Sequence, residues 1–501
     1  MFSKYSLWIV LIIAGALLIS PQGANAEIKI TDCFSLTGFA RYEFGIHTAE
    51  SNPNLPENHD LSLSRFFLQT EWTYTPTDKF KLYANIRLLG DTTSLWDDDV
   101  RNYDAFPVDV PKDKALMMRM ANYDHFRAEV WELYGDVKLG DLWLRLGKQQ
   151  FAWGEMVGVR ILDAIYSLDL SWNMFFEPEE FELIRIPAWT IRGIYNLTSL
   201  LPGWITNPSI EAFVIPGDIY PTFTANPGAP FNLVTFPPQL EIHNKDHRGD
   251  VAYGVRVGAG AGAFYGTLNY IHTYTQEMTG LDLRGPGLNL STFQVMYNVK
   301  YPMKDLFGMT LNYAFPNPYN LVLTFEGVYS PNEPWQDNHV IDLNDNYPFL
   351  PDQSYVPDRI RDQGKWTYAI RADRNTWLWP EKFLSPSMAQ CTLQFVQYVV
   401  EGDVDKIRGT LGAYKIHKSM EWLVAQVSQP LLHADLTPTV QFVYDTRDAY
   451  LLKPSIQYKY GNHWYFDVFA TFLGGSEKNP YDQFGSLYWA DTVYGRVTYQ
   501  F

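Results

Sequence analysis

The chain has 501 residues, of which 39 are basic and 56 acidic, so its net charge at pH 7 is -17. This acidic balance argues against nucleic acid as a partner. The chain contains 16 Trp, 33 Tyr and 31 Phe, yet its mean hydropathy is only -0.21. Abundant aromatic residues without long apolar runs are typical of a barrel in which every second strand residue faces lipid.

The first 26 residues have the pattern of a secretory signal peptide. Lys4 precedes an apolar run from Leu7 to Ile19, and Ala24-Asn25-Ala26 supplies the small residues of a cleavage site before Glu27. Lys4 is the only charge in this stretch, so its removal leaves 38 basic and 56 acidic residues, a net charge of -18. No later stretch of about 18 apolar residues predicts a membrane-spanning helix. We therefore expect a signal peptide over 1–26 and a single outer-membrane barrel domain over 27–501.

Alternation of apolar and polar residues predicts β-strands along the rest of the chain. One face of the first strand is apolar from Leu36 to Ile46, while its other face carries Thr37, Arg41 and Glu43. The same period of two predicts hairpins over 66–88 and 456–472, and a third hairpin that joins 293–299 to 309–315. A large secreted β-sandwich or propeller is the alternative for such a pattern.

Short turns alternate with long connections, such as 90–125, 215–250 and 331–364. Outer-membrane barrels are built this way, with short periplasmic turns and long extracellular loops. The chain length predicts an all-β, antiparallel transmembrane barrel of about 16 strands, within a range of 14–18. A barrel of this width leaves a lumen that wall side chains alone need not fill.

The carboxyl-terminal strand carries a more specific signal. Val493, Gly495, Val497, Tyr499 and Phe501 share one face, and the chain ends on an aromatic residue. This pattern resembles the signature that barrel-assembly machinery recognises in outer-membrane proteins. We therefore predict that Tyr499 and Phe501 form the assembly signal and that the protein resides in the outer membrane of a Gram-negative cell, in contact with its lipid.

Residues 144–155 read Leu-Arg-Leu-Gly-Lys-Gln-Gln-Phe-Ala-Trp-Gly-Glu and are followed by an Asp-containing turn at 160–163. These blocks, with 186–189 and 211–216, resemble a porin-like Gram-negative outer-membrane barrel family known as domain of unknown function 1302. The chain departs from that pattern at Tyr166-Ser167, where the family has Asn-Pro. The resemblance implies a barrel fold and an outer-membrane location and does not identify a substrate.

If the apolar face meets lipid, the opposite face lines the lumen. Basic residues outnumber acidic ones there by eleven to five in the sequence assignment. The basic residues are Arg41, Lys81, Arg87, Arg145, Arg192, Arg256, Lys365, Arg371, Lys453, Lys459 and Arg496, and the acidic ones are Glu43, Glu71, Glu211, Glu326 and Asp467. One hypothesis is a basic lumen that favours anions. The alternative is that these charges form ion pairs that brace the wall.

The stretch from Trp153 to Phe181 lacks clean alternation and is rich in charged residues. A loop that folds into the lumen would need such polar contacts, which makes Glu155, Arg160 and Asp163 candidates for a constriction. An ordinary extracellular loop is the alternative.

No metal, cofactor or catalytic residue is predicted. His243 and His247 lie in a loop beside Pro237-Pro238, where their spacing cannot direct both rings to one ion. Cys33 and Cys391 are too few for a disulfide framework.

Together these patterns predict a non-enzymatic channel for passive diffusion of small solutes, with anions as one class. Two alternatives stay open. One is a barrel that sheathes or exports a periplasmic partner, such as a haem protein or a polysaccharide. The other is an outer-membrane hydrolase, for which no sequence feature speaks.

Overall fold

The computed structural model describes residues 27–48, 61–96, 118–123, 125–172, 181–217, 222, 240–244, 251–275, 280–289, 294–316, 320–342, 355–357, 360–378, 387–408, 416–475 and 485–501. The predicted signal peptide, 1–26, lies outside these residues, so it stays a prediction.

The described strands, numbered in chain order, are β1 (Ile28–Thr31), β2 (Phe34–His47), β3 (Leu61–Thr77), β4 (Phe80–Asp91), β5 (Arg119–Tyr123), β6 (Phe126–Leu139), β7 (Leu142–Gln149), β8 (Ala188–Asn196), β9 (Ile205–Ile215), β10 (Leu240–Asn244), β11 (Ala252–Ala261), β12 (Phe264–Tyr274), β13 (Gly280–Asn289), β14 (Gln294–Lys300), β15 (Met303–Ala314), β16 (Leu321–Asp337), β17 (Val340–Asp342), β18 (Tyr355–Pro357), β19 (Ile360–Thr376), β20 (Ala389–Val400), β21 (Ile407–Arg408), β22 (Ser419–Ser428), β23 (Leu436–Asp445), β24 (Ala449–Tyr460), β25 (Trp464–Gly474) and β26 (Thr492–Gln500). Two short helices, α1 (Thr93–Trp96) and α2 (Phe181–Ile184), and 3-10 turns at Val404–Lys406, Leu432–Ala434 and Gly485–Ala490 lie between them. Among the described residues, no helix has the length and apolar character needed to cross a membrane.

Eighteen of these 26 strands form one closed antiparallel barrel. The other eight pair outside the barrel or extend it locally; they are β1, β5, β10, β13, β14, β17, β18 and β21. Each barrel strand pairs with its sequence neighbour in the barrel, and β2 pairs with β26 to close the circuit, from Phe39 opposite Gln500 to His47 opposite Thr492. The predicted fold class is confirmed. The strand number lies at the top of the predicted range of 14–18 rather than at 16, because several wall strands, such as the 8-residue β7, are short.

The two faces of the wall differ as the alternation predicts. On β12, β20 and β25 the outward side chains of Leu268, Leu393 and Val468 are 66%, 58% and 59% exposed in the isolated chain. Their inward neighbours Thr267, Gln394 and Asp467 are buried. An apolar outer belt around a closed barrel is the surface that a lipid bilayer covers.

The predicted hairpins over 66–88 and 456–472 correspond to β3–β4 and β24–β25, with Thr77 opposite Phe80 and Tyr460 opposite Trp464. The hairpin predicted to join 293–299 to 309–315 is wrong. β14 belongs to a separate three-stranded sheet with β10 and β13, while β15 pairs with β12 and β16. Alternation identifies both strands but carries no information about their partners.

The barrel seam brings the chain terminus against the first wall strand. The Phe501 amide donates to the Gly38 carbonyl and the Gly38 amide donates to the Phe501 carbonyl, both at 2.9 Å. A Cβ at Gly38 would lie 2.3 Å from the Gln69 carbonyl oxygen and 3.0 Å from the Phe501 ring, so the close approach of both requires glycine there. Cys33 and Cys391 are both free thiols.

Candidate functional site

The connection between β7 and β8, residues 150–187, folds into the barrel. We call it the lumen segment; residues 150–172 and 181–187 of it are described. Its residues contact inward-facing side chains of β9, β15, β16, β19 and β20. Because the opposite faces of these strands carry the exposed apolar belt, a segment that reaches all of them lies inside the lumen.

Glu326 on β16 holds the backbone of the lumen segment. Its side chain is fully buried, and its two carboxylate oxygens accept hydrogen bonds from the amides of Glu155 at 2.6 Å and Leu162 at 2.7 Å. Among the described residues, no cation forms an ion pair with Glu326. The carboxylate is therefore stabilised by backbone N–H groups, and charged hydrogen bonds of this kind are the strong ones in proteins.

Gln394 on β20 makes a second, two-point contact with the segment. Its Oε1 accepts from the Val157 amide at 3.0 Å and its Nε2 donates to the Val157 carbonyl at 3.1 Å. Glu155 is bound to the same wall, since Asn312 Nδ2 donates to its carboxylate at 2.7 Å and Arg371 donates to its carbonyl. The wall thus satisfies backbone groups of the segment that would be costly to bury alone.

Apolar packing fixes the first half of the segment against the wall. Phe151, Trp153, Ile161, Leu162, Ile165 and Tyr166 form one buried cluster with inward residues of β8, β9, β11, β12, β15, β16, β19 and β20. Leu162 lies over Gly308, where a Cβ would be 2.3 Å from Leu162 Cδ2. The absence of a side chain at Gly308 is therefore what lets Leu162 approach the wall.

The second half of the segment packs on the opposite side of the lumen. Leu168, Trp172, Leu183 and Ile184 form a cluster with residues of β3, β4, β24 and β25 and of the Gly485–Ala490 turn. Trp422 on β22 packs against both clusters. The lumen segment therefore crosses the barrel from wall to wall.

Buried ion pairs anchor this second half. Arg127 Nη1 lies 2.6 Å from Asp169 of the segment. Arg87 pairs with Glu129 at 2.6 Å and donates to the Leu183 carbonyl at 2.7 Å, and its guanidinium lies 3.1 Å from the centre of the Trp131 ring. All four charged side chains are fully buried, so their charges depend on one another for stability.

The three constriction candidates lie in the lumen but not at one point. Glu155 faces β15 and β19, as described above. Arg160 and Asp163 pair with each other at 3.3 Å, and Arg185 joins Asp163 at 2.7 Å. Arg160 also donates to the Tyr166 carbonyl, so this pair holds the segment's own fold. Their role in a constriction stays a proposal.

The eleven predicted lumen cations all alternate with the outward apolar residues of their strands. Six of them form ion pairs with carboxylates of the wall, mostly on a neighbouring strand. The pairs are Arg87–Glu129 at 2.6 Å, Arg145–Asp136 at 2.7 Å, Arg192–Glu211 at 2.7 Å, Lys365–Glu333 at 3.6 Å, Arg371–Asp373 at 2.7 Å and Arg496–Asp467 at 3.1 Å. Four of these carboxylates, Glu129, Asp136, Glu333 and Asp373, are absent from the sequence assignment of the lumen face.

The other five cations differ in their surroundings. Arg41 donates to the Thr498 hydroxyl at 3.3 Å, and Lys453 lies opposite Gln441. Lys81 lies 5.4 Å from the Tyr83 ring centre and Lys459 lies 5.9 Å from that of Tyr465. Within the described part of the chain, Lys81, Arg256 and Lys459 form no ion pair.

Gln394, Arg127, Asp169 and Arg185 hold the segment and were not predicted from the sequence. Within the described residues, no three His, Cys, Asp or Glu side chains are arranged to hold a metal ion. His247 and the side chain of His243 lie outside what the structure describes.

Comparison with protein-family models finds no match, so the resemblance to domain of unknown function 1302 is not established. No curated protein matches the chain either. Among solved structures, OccAB3 of Acinetobacter baumannii aligns with a TM-score of 0.50 at 9% identity, over 93% of this chain and 99% of that one. OccAB4 of the same organism aligns with a TM-score of 0.48 at 9% identity, over 94% and 99%. OpdK of Pseudomonas aeruginosa, solved with vanillate, aligns with a TM-score of 0.45 at 8% identity, over 94% and 98%.

The similarity to OccAB3 at this low identity establishes a shared barrel fold. A closed antiparallel barrel with an apolar belt, short turns at one end and long connections at the other is the architecture of bacterial outer-membrane proteins. The protein is therefore an outer-membrane barrel, in contact with outer-membrane lipid.

Proposed function

We propose that the protein is a narrow outer-membrane channel for passive diffusion of small solutes, in which the lumen segment sets the passage. The observation that carries this proposal is the placement of residues 150–172 inside the barrel, bound to the wall by Glu326 and Gln394. A wall that only had to be braced would not need a connection that crosses its lumen.

The polar groups that remain along the inner wall support diffusion of hydrated solutes. Gln441 donates to Gln426 at 3.3 Å and Gln457 donates to Asp467 at 2.8 Å, and the three glutamines are not buried. Such amide groups can replace part of the hydration of a passing solute.

The proposed preference for anions rests on three cations rather than on the eleven that the sequence assigns to the lumen face. The six paired cations neutralise wall carboxylates, so they fit the wall-bracing hypothesis. Lys81, Arg256 and Lys459 fit the anion hypothesis, because their charge is not neutralised by a described ion pair. We propose that these three cations give the channel an anion preference.

The experiment that tests the channel is single-channel recording of the refolded protein in a planar bilayer, with Glu326→Gln beside the wild type. The substitution replaces one acceptor oxygen by an NH₂ group that faces a backbone N–H. A buried donor left unsatisfied costs about 1–3 kcal/mol, so we expect the segment to be released part of the time. The expected result is small steady conductance for the wild type and larger, fluctuating conductance for Glu326→Gln.

Glu71→Gln is the matched control. Glu71 is an inward carboxylate on β3 that accepts from Gln69 at 2.9 Å and makes no described contact with the lumen segment. The Glu71→Gln variant loses the same charge as Glu326→Gln, so we expect its conductance to match that of the wild type. Equal conductance of all three variants would contradict the role of the segment. Silence of all three, in protein whose folding is verified by heat-modifiable gel mobility, would contradict the channel.

A further inference from the structure

The β8–β9 turn, residues 197–204, presents an exposed apolar surface at the short-turn end of the barrel. Leu200 is 67% exposed and Trp204 is 69% exposed, with Leu201 beside them at 38%. The stretch from Leu197 to Ile205 contains no charged residue. Two tight turns at this end, Asp78-Lys79 and Gly461-Asn462, are polar, whereas the connection after β19 also begins with exposed apolar residues, Trp377 and Leu378.

The turn is held in one conformation by its own hydrogen bonds. The Leu200 amide donates to the Leu197 carbonyl at 2.9 Å, and the Ile205 amide donates to the Pro202 carbonyl at 3.0 Å. On its polar side, the Ser199 hydroxyl donates to Asp141 of the neighbouring β6–β7 turn at 3.2 Å. The apolar side chains are therefore displayed by a fixed backbone.

This surface continues the lipid-facing belt. Leu139 at the end of β6 is 57% exposed and Tyr195 at the end of β8 is 39% exposed, and both border the turn. The wall is short in this sector, because β7 has 8 residues and β8 has 9, whereas β3, β16 and β19 have 17 each. A strand needs about 9–11 residues to span the hydrocarbon core, so β7 falls below this range and β8 reaches only its lower limit. The apolar side chains of the turn extend the belt in this sector.

The geometry points to a lipid anchor: the 197–204 turn lies in the periplasmic leaflet and completes the apolar belt where β7 and β8 are short. The partner is the headgroup and upper acyl region of a phospholipid leaflet, where the amphipathic Trp ring is favoured and an uncharged turn avoids desolvation of charge. The anchor is independent of whether the lumen conducts.

The test measures membrane depth with nitroxide spin labels in bilayers of phosphatidylethanolamine and phosphatidylglycerol. Cys33→Ser and Cys391→Ser remove the native thiols, and Trp204→Cys or Leu200→Cys supplies the attachment site. Asn462→Cys, in the polar β24–β25 turn at the same end, is the matched control. We expect a ratio of oxygen to nickel-chelate collision rates that is several-fold higher at 204 and 200 than at 462.

Equal ratios at 204 and 462 would overturn the proposal, because both turns would then lie in water. Spin–spin broadening between labels at 204 would also overturn it, since a second copy of the chain would then cover the surface. The label sites are exposed, and heat-modifiable mobility verifies that each variant is folded. A silent channel with a deep label at 204 would leave the anchor intact while contradicting the proposed function.

Discussion

At the scale of single residues, inward cations of the wall fall into two groups that look alike in the sequence. Arg87 is fully buried and bound to Glu129 and to the lumen segment, whereas Lys81, on the same strand and face, lies 5.4 Å from the Tyr83 ring centre and forms no ion pair within the described residues. The neighbouring strand β6 supplies a carboxylate opposite each cation, but Asp136, opposite Lys81, pairs with Arg145 of β7 instead.

We expect Arg87→Met to lower the free energy of unfolding far more than Lys81→Met. Loss of one partner from a buried ion pair costs about 3–5 kcal/mol, because the other charge stays buried and uncompensated. For Lys81→Met, with no ion pair to break, the expected change is within about 0.5 kcal/mol. Urea-induced unfolding in lipid vesicles, followed by tryptophan fluorescence, measures both. Similar losses would mean that the Arg87 pair does not anchor the segment.

Lys81→Gln, Arg256→Gln and Lys459→Gln should together weaken anion preference, seen as a shift of the reversal potential under a salt gradient. A unit charge about 5 Å from a passing ion in water contributes about 0.8 kcal/mol, or a few-fold in local concentration. Thr37→Ser, Thr267→Ser and Thr437→Ser form the matched triple variant without charge change. A reversal potential that stays at the wild-type value after loss of the three cations would contradict their assignment.

At the scale of elements, the lumen segment depends on shape as well as on hydrogen bonds. Gly308→Val would place side-chain atoms where Leu162 now lies, and overpacking of this kind typically costs about 1–3 kcal/mol. We expect the segment to move from the β15 wall and the single-channel conductance to rise. Gly495→Val, at a β26 position with no heavy atom within 4 Å of its Cβ, is the control. Unchanged conductance in a folded Gly308→Val variant would show that the Leu162 side chain can move aside without displacing the lumen segment.

Strand alternation predicts most of the wall but not the way the lumen segment is held. Alternation reports one apolar and one polar face, and this pattern holds on the belt side throughout. Inward residues such as Ile271, Leu306, Val328 and Val396 break it, because they face the segment rather than water. The stretches around them are apolar on both faces, which is the signal that could have located the covered part of the wall.

The sequence identifies Glu155, Arg160 and Asp163 as polar residues of the connection between β7 and β8 but does not assign their partners. Glu155 meets Asn312 and Arg371 from strands more than 150 residues away. Such contacts depend on which side of the barrel the segment crosses to, and nothing local to residues 150–187 encodes that. Glu326 was assigned to the lumen face from its strand, whereas its role as a backbone acceptor became visible only with the segment in place.

At the scale of the whole molecule, the seam between β2 and β26 ends on Phe501, whose backbone bonds to Gly38. The proposal that Tyr499 and Phe501 form the assembly signal remains a prediction. We expect Phe501→Ser to reduce strongly the amount of heat-modifiable barrel recovered from outer membranes, while refolding of the purified chain in detergent is less affected. Ile30→Ser, at an exposed position on β1, should leave recovery unchanged. Equal recovery of both variants would contradict the assignment of Phe501 to the assembly signal.

The seam also has a kinetic consequence. Every other pairing among the eighteen described barrel strands joins consecutive strands of the barrel, so hairpins can add one after another at a low cost in loop closure. The β2–β26 contact joins the two ends of that series and can form only when the last strand has been synthesised and exported. Until then the growing sheet has two unpaired edges, which are sites for aggregation. Cells that make this protein must therefore protect an open sheet during the interval between export and closure, and a longer interval leaves its unpaired edges exposed for longer.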